Sequence, residues 1–359
     1  MKKLTKYLAF LGLSVIGLIY YFYPAQYPKY VRSDHYNPEK QSFFNLIPGK
    51  KVDKGEVLSA LWKMIFHKHK FMPSEQLPTQ KPNFSVFLDD TEQANFIWFG
   101  HSSLLARMGG KTIFIDPVFA QSVSPLPIMM QRFQSPPANL VELPPIDWIV
   151  ISHNHYDHLD RDVIEYYKLQ KTSFIVPLGV GVLLQKWGIG PERIRELDWW
   201  QSTNLGVLEI SAVPARHNTG RGLFDSNKTL WTGYVFKTSS EQFYYSGDSS
   251  FGDGIHFQQI AQRFGNFDIA FIENGQYNQT WIDNHMMPEQ TAKVAKIIQP
   301  TRFMPIHWGA YALSIHGWKE PVERSVPLVK EYGIETLTPL LGEVFNRQTQ
   351  TLLWWQDIK

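Results

Sequence analysis

The chain has 359 residues, enough for one large core or two ordinary ones. Hydrophobic residues at 43% and charged residues at 19% exclude a disordered chain, and a formal net charge of +2 argues against a nucleic-acid surface. Cysteine is absent, which excludes disulfides, thiolate metal sites and cysteine nucleophiles, so any metal must be held by His, Asp and Glu.

Lys2, Lys3 and Lys6 precede a charge-free stretch that is almost wholly apolar from Tyr7 to Tyr23. A run of that kind is about long enough to cross a bilayer, which takes roughly 17–25 residues. Tyr20, Tyr21 and Tyr23 close it as interfacial aromatics do. The favoured reading is an uncleaved membrane anchor over residues 1–28. A cleaved signal peptide is the rival, for which Pro24-Ala25-Gln26 is a poor cleavage site. Lysines ahead of the span favour a cytoplasmic N-terminus and place the body on the non-cytoplasmic, periplasmic side.

Residues 29–94 read as an irregular, turn-rich arm, with one helix expected from Gly55 to Lys68 that carries Leu58, Leu61, Trp62 and Ile65 on one face. His67 and His69 read as solvated. The compact body, residues 95–359, begins with a strand over Phe96 to Phe99. A hairpin is expected next, from Leu104 to Met108 and from Thr112 to Ile115 around Gly109-Gly110. The proline-punctuated loop Ser124 to Phe133 is either packed under the body or a lip for an apolar ligand.

Trp148 to Ile151 reads as a buried strand, and Ser152-His153-Asn154-His155-Tyr156-Asp157-His158 follows at once. Three imidazoles and a carboxylate in six residues suit a metal more than a solvated turn. Alternation lets His153 and His155 reach one ion while Asp157 and His158 turn toward a second. Strands and helices then alternate. Helices are expected over Asp162 to Lys168, Val180 to Trp187 and Glu289 to Ile298. Strands are expected over Phe174 to Val176, Arg195 to Trp199, Val207 to Pro214, Leu230 to Phe236, Gln242 to Tyr245, Ile269 to Ile272, Phe303 to Ile306 and Thr351 to Trp355. Three of these strands end in a lone ligand-type residue: His217, Asp248 and His307. The mixture points to one layered α/β domain.

Several phrases then resemble the metallo-β-lactamase fold hydrolases, and within them the N-acylphosphatidylethanolamine-hydrolysing phospholipase D branch. They are Ser33-Asp34-His35-Tyr36, Trp98-Phe99-Gly100-His101-Ser102, Ile115-Asp116-Pro117-Val118-Phe119 and Ser152 to Asp160. Further on come Val213-Pro214-Ala215-Arg216-His217, Ser246-Gly247-Asp248-Ser249, His285-Met286-Met287-Pro288-Glu289 and Pro305-Ile306-His307-Trp308-Gly309. The resemblance implies an α/β fold, a four-layer αββα sandwich, carrying here an N-terminal membrane-spanning helix that the family does not require. It implies two zinc ions per chain. His153, His155 and His217 would hold one, Asp157, His158 and His307 the other, and Asp248 would bridge them.

The activity implied is hydrolysis of N-acylphosphatidylethanolamine to phosphatidic acid and an N-acylethanolamine by a metal-bridging hydroxide. Asp157 and His285 would act in catalysis, with His285 beside the phosphate or the leaving group. Met129 and Phe133 are candidate substrate contacts, and His101 has a supporting role. The partners expected are a phospholipid and a membrane, with no nucleic acid, and a homo-oligomer is open. The alternatives are a lactonase or other hydrolase of the same fold, and a non-catalytic zinc-binding envelope protein.

Overall fold

The computed structural model describes residues 25–49, 54–67, 70–89, 93–126, 129–222 and 224–358. The expected span over residues 7–23 lies outside them. Among the described residues no helix is long and apolar enough to cross a membrane. In the arm, β1 (Tyr36–Asn37) and β2 (Ser42–Phe43) form an antiparallel ribbon, and α1 (Lys54–Phe66) is the helix expected there. Trp62 on α1 is exposed and packs on Phe66 and His67. The side chains of Leu58, Leu61 and Ile65, and all of His69, lie outside the described residues. Tyr36 and Phe43 are buried against Trp199, Ala215, Leu230 and Trp231, so the ribbon packs on the body. A single helical turn, α2 (Phe84–Phe87), is capped by Asn83, whose side chain accepts the Val86 N–H.

Two seven-stranded sheets make the body. The first holds β3 (Asn95–Trp98), β4 (Leu104–Met108), β5 (Lys111–Ile115), β6 (Trp148–Val150), β7 (Ser173–Pro177) and β8 (Ile194–Leu197). The second holds β9 (Ser202–Leu205), β10 (Leu208–Val213), β11 (Gly233–Lys237), β12 (Gln242–Tyr245), β13 (Ile269–Glu273), β14 (Arg302–Ile306) and β15 (Glu335–Thr336). A late strand, β16 (Val344–Phe345), returns to the first sheet beside β3. The β4–β5 hairpin closes Met108 on Lys111. Its two central residues, Gly109 and Gly110, have φ of +54° and +69°, a conformation that side chains oppose and glycine adopts freely.

Alternation along the strands sorts the apolar residues into three layers of packing. Phe96, Trp98, Ala106, Ile113 and Ile115 face Ile210, Tyr234, Phe236, Phe243 and Phe271 between the sheets. Ile97, Leu105, Phe114 and Ile149 point the other way, onto Val163 and Ile164 of α3 (Arg161–Tyr167) and Leu184 of α4 (Val180–Lys186). On the far side, Val235, Tyr244, Ala270 and Ile272 meet three helices. These are α5 (Ile255–Arg263), α6 (Pro288–Ile298) and α7 (Glu320–Glu331), through Phe257, Val294 and Val329. The order is helices, sheet, sheet, helices.

Strand direction places the chemistry. β5 pairs parallel with β6, and two antiparallel steps bring β3 into the same direction. In the second sheet β12, β13 and β14 are mutually parallel, and β10 shares their direction through β11. The C-terminal ends of β3, β5 and β6 therefore share one rim, as do those of β10, β12, β13 and β14.

One expected strand is corrected. Thr351 to Trp355 is not a strand; Trp354–Asp357 is a 3-10 turn. Trp354 stacks on Trp308 and Trp318, and this packing of ring faces outweighs the strand preference of aromatic residues.

Candidate metal centre

The loop after β6 brings its imidazoles together at once. His153 Nε2 and His155 Nδ1 are 3.0 Å apart, and His217 Nε2, from the end of β10, is 3.1 Å from the same His155 nitrogen. Asp248, at the end of β12, turns one oxygen to each half of the cluster. Its Oδ2 lies 3.7 and 3.6 Å from His153 and His217, and its Oδ1 lies 3.1 Å from both His158 Nε2 and His307 Nδ1. Asp157 Oδ2 is 3.6 Å from His158 Nε2 and 2.9 Å from His101 Nε2. All seven residues expected as ligands converge, and His101 joins Asp157, His158 and His307 in one group.

The donors are aimed as metal ligands are aimed. His158 Nδ1–H donates to Asp116 and His217 Nδ1–H to the Asn284 carbonyl, at 2.7 and 3.0 Å. Each ring thereby turns its Nε2 lone pair to the centre, and such outer partners fix tautomer and orientation. His158 Nε2, Asp248 Oδ1 and His307 Nε2 are buried with no hydrogen-bond partner among the described residues. The lone pairs of His158 Nε2 and Asp248 Oδ1, 3.1 Å apart, repel unless a proton or a metal cation lies between them. A nitrogen and carboxylate-oxygen set of this kind fits divalent metal ions.

Electrostatics agree. Burial, with the neighbouring imidazoles, holds His153, His217 and His307 well below the usual histidine range, and burial pulls His101 and His155 down to about 4. At pH 7 these rings are neutral, the form that ligates. Burial also acts to lower His158, but Asp248, Asp157 and Asp116 outweigh it and hold that ring well above the usual value. The site at His158 Nε2 thus favours positive charge. Burial pushes Asp248 up to about 7, against the pull of His158.

Outer residues that went unassigned in the sequence complete the centre. Asp116, after β5, accepts from Ser152 N–H and Oγ at 2.7 and 2.5 Å and from the Tyr245 hydroxyl at 2.6 Å. Ser102 Oγ lies 3.1 Å from His307 Nδ1. Glu273, at the end of β13, is 2.5 Å from His285 Nδ1. Asp116 and Glu273 follow the same pattern as the ligands, an acid closing a strand, and that pattern could have found them. From the arm, Asn45 grips the main chain of His217, donating to its carbonyl at 2.8 Å and accepting its N–H at 3.2 Å.

Three residues of the centre hold left-handed backbone: His101 (φ +54°), Asp116 (φ +42°) and His307 (φ +69°). His307 N–H donates to the His101 carbonyl and His101 N–H to the Trp308 carbonyl, so the two sheets are laced together there. Gly247 (φ +57°) has no room for a side chain, since a Cβ would sit 2.7 Å from the Thr232 carbonyl and 3.0 Å from Ser152 Cβ.

The candidate substrate contacts Met129 and Phe133 lie between β5 and β6. Phe133 is half-buried against the core between the sheets, and its N–H donates to the Ala310 carbonyl. Met129 is half-buried in the 122–133 loop, held by Ser122 Oγ at 2.6 Å and by the Leu126 carbonyl. Its neighbour Met130 packs with Tyr156 of the histidine motif and with Tyr311.

A family model described as a Beta-lactamase superfamily domain matches residues 111–308. An uncharacterized protein of Mycobacterium tuberculosis is 35% identical over 324 residues, spanning 88% of this chain and 86% of its own. N-acyl-phosphatidylethanolamine-hydrolyzing phospholipase D 1 of Caenorhabditis elegans is 32% identical over 275 residues, spanning 71% of this chain and 77% of its own. In fold, the chain is similar to Igni18, a metallo hydrolase from Ignicoccus hospitalis. The TM-score is 0.56 at 20% identity, covering 72% of this chain and 100% of that one. With such a rim, such a cluster and such relatives, the chain belongs to the β-lactamase superfamily, as a metallo-β-lactamase fold hydrolase near the N-acylphosphatidylethanolamine-hydrolysing phospholipases D.

Proposed function

We propose that this chain is a two-zinc phosphodiesterase of phospholipase D type that releases N-acylethanolamine and phosphatidic acid from N-acylphosphatidylethanolamine. The observation that carries the reading is Asp248, whose two oxygens face two separate ligand groups. His153, His155 and His217 would hold one ion with Oδ2, and Asp157, His158 and His307 the other with Oδ1. Ions bound there supply Lewis acidity and lower the pKa of a water from about 15.7 toward about 7. Asp157 presents its carboxylate to that second group, kept ionised because His158 and His101 outweigh the cost of burial. His285 stands beside both groups, its ring centroid 5.2 Å from His217 and 5.1 Å from His307, and we assign its Nε2 the proton transfer, taking a proton from the attacking water and returning it to the departing oxygen.

The division into an anchor (1–28), an arm (29–94) and a catalytic body (95–359) belongs to the same proposal. The charge-free run over residues 7–23, together with a lipid substrate, supports work at a membrane surface.

The test is a panel of N-acylphosphatidylethanolamine vesicles, lactones and cephalosporins, with products read by mass spectrometry. Release of N-acylethanolamine is expected, together with two zinc ions per chain by elemental analysis. Turnover of lactone alone would replace the phosphodiesterase reading. Asp157→Asn should abolish hydrolysis while the circular dichroism of the fold persists, and retained activity would refute the role given to that carboxylate.

A further inference from the structure

Glu273 has no exposed surface, and every polar atom of it that can be traced is engaged. Oε1 meets His285 Nδ1 at 2.5 Å, and Oε2 accepts the Ser249 N–H at 2.5 Å. Its own N–H donates to Ser246 Oγ, and its carbonyl accepts the Thr291 hydroxyl. Ser246 and Ser249 flank Asp248 on one loop, and His285 stands on another. A single buried carboxylate therefore ties the loop of the bridging residue to the loop of the residue beside it.

The cost of burying a carboxylate makes such a position demanding, and it is met only by pairing and hydrogen bonding. The pairing also decides what His285 offers. With the proton on Nδ1 the neutral ring keeps its lone pair at Nε2, whereas a proton on Oε1 leaves the neutral ring its own hydrogen at Nε2, so the Glu273 contact sets which tautomer is offered. The His285 side chain is 15% exposed while Glu273 is sealed, so the free nitrogen belongs to the open side of the pair. The same division of labour, a buried acid fixing the tautomer of an imidazole that does the work, operates in serine hydrolases.

We propose that Glu273 is the positioning residue for His285, holding the ring by Nδ1 so that Nε2 is presented at the metal centre. The inference rests on the hydrolase reading for its catalytic consequence, but the pairing itself is measurable without substrate.

The experiment compares zinc-loaded wild type with Glu273→Gln, Glu273→Asp, His285→Ala and the Glu273→Gln/His285→Ala double variant. Side-chain nitrogen-15 NMR reads the His285 tautomer and the far-downfield proton of a short carboxylate–imidazole bond. Elemental analysis reads zinc, and steady-state kinetics on N-acylphosphatidylethanolamine separate kcat from KM. Glutamine has one acceptor oxygen for the two donors, so Glu273→Gln should lose the downfield proton and the fixed tautomer yet keep its zinc. Its kcat should fall about 10²–10⁴-fold with KM little changed. Glu273→Asp should recover part of both signals, and the double variant should be no slower than His285→Ala. A wild type lacking the downfield proton, a Glu273→Gln variant that keeps rate and tautomer, or additive losses in the double variant would each overturn the proposal. So would zinc loss in proportion to rate. A wild type that shows the proton but cleaves no phosphodiester would instead sink the substrate assignment and leave the pairing standing.

Discussion

Asp116 shows how much a residue can do without touching the metal. Its four contacts are His158 Nδ1, Ser152 N and Oγ, and the Tyr245 hydroxyl, and all four are donors. An amide there would turn an N–H₂ group toward groups that are themselves donors. Asp116→Asn is therefore expected to weaken metal binding about 10–100-fold at the group containing His158, read by competition with a chromophoric chelator. The sequence around Asp116 reads as a strand ending in Asp-Pro within a phrase that resembles the family, with no role attached to the residue. The acid-closing-a-strand pattern marks its position, but which groups it holds is not legible there because its partners stand 36, 42 and 129 positions away. The seven candidate ligands are legible as positions for the same reason, because a ligand-type residue at the end of an apolar strand is a local pattern. His101 falls between. It was expected in support, and it bonds Asp157 directly while its ring lies 4.0 Å from that of His307.

Among the elements, the strands were the easiest to read, because alternation at a period of two survives in a single sequence. The helices α5 and α7 are not legible in the sequence. The segment Ile255–Arg263 is largely polar, and Glu320–Glu331 contains Pro321 and Pro327, residues that argue against a helix. Pro321 falls in the first turn, where its missing N–H costs nothing, and Val322, Val326 and Val329 are buried and hold the rest. The arm was expected to be irregular, and its ribbon delivers Asn45 to the main chain of His217 across 172 positions. Asn45→Ala would leave that N–H and carbonyl without their partner, at a cost of about 1–3 kcal/mol for each buried group left unsatisfied. The expected outcome is weaker metal binding at the His153, His155 and His217 group, with the His158 group less affected. Isothermal titration of the metal-free protein resolves the two steps, and equal weakening of both would refute the assignment.

At the scale of the molecule, the centre is a seam. One sheet contributes His101, Asp116 and the histidine motif, and the other contributes His217, Asp248, Glu273 and His307. So many buried titrating groups make the metal-free protein sensitive to acid. Burial lowers the values of His101, His153, His155, His217, His285 and His307, to about 4 at His101 and His155. Below the unfolded histidine value of about 6.5, the unfolded chain takes up protons that these folded rings refuse, so their contribution falls as pH falls. His158, Asp248 and Glu273 are shifted upward and act in the opposite sense, losing their contribution as pH rises through their folded values, about 7 for Asp248. Six groups oppose three, so the chelated protein should unfold at lower urea concentration at about pH 5 than at about pH 7.5. Urea titrations at the two pH values check the sign.

The left-handed backbone at His101, Asp116 and His307 has a consequence for how this protein could be altered. Each such residue carries conformational strain on the order of 1–3 kcal/mol, which glycine would relieve. A library selected for heat tolerance alone would drift toward glycine at these three positions and enrich robust, inert chains. Screening for ion retention at every round would keep the strain and the chemistry together.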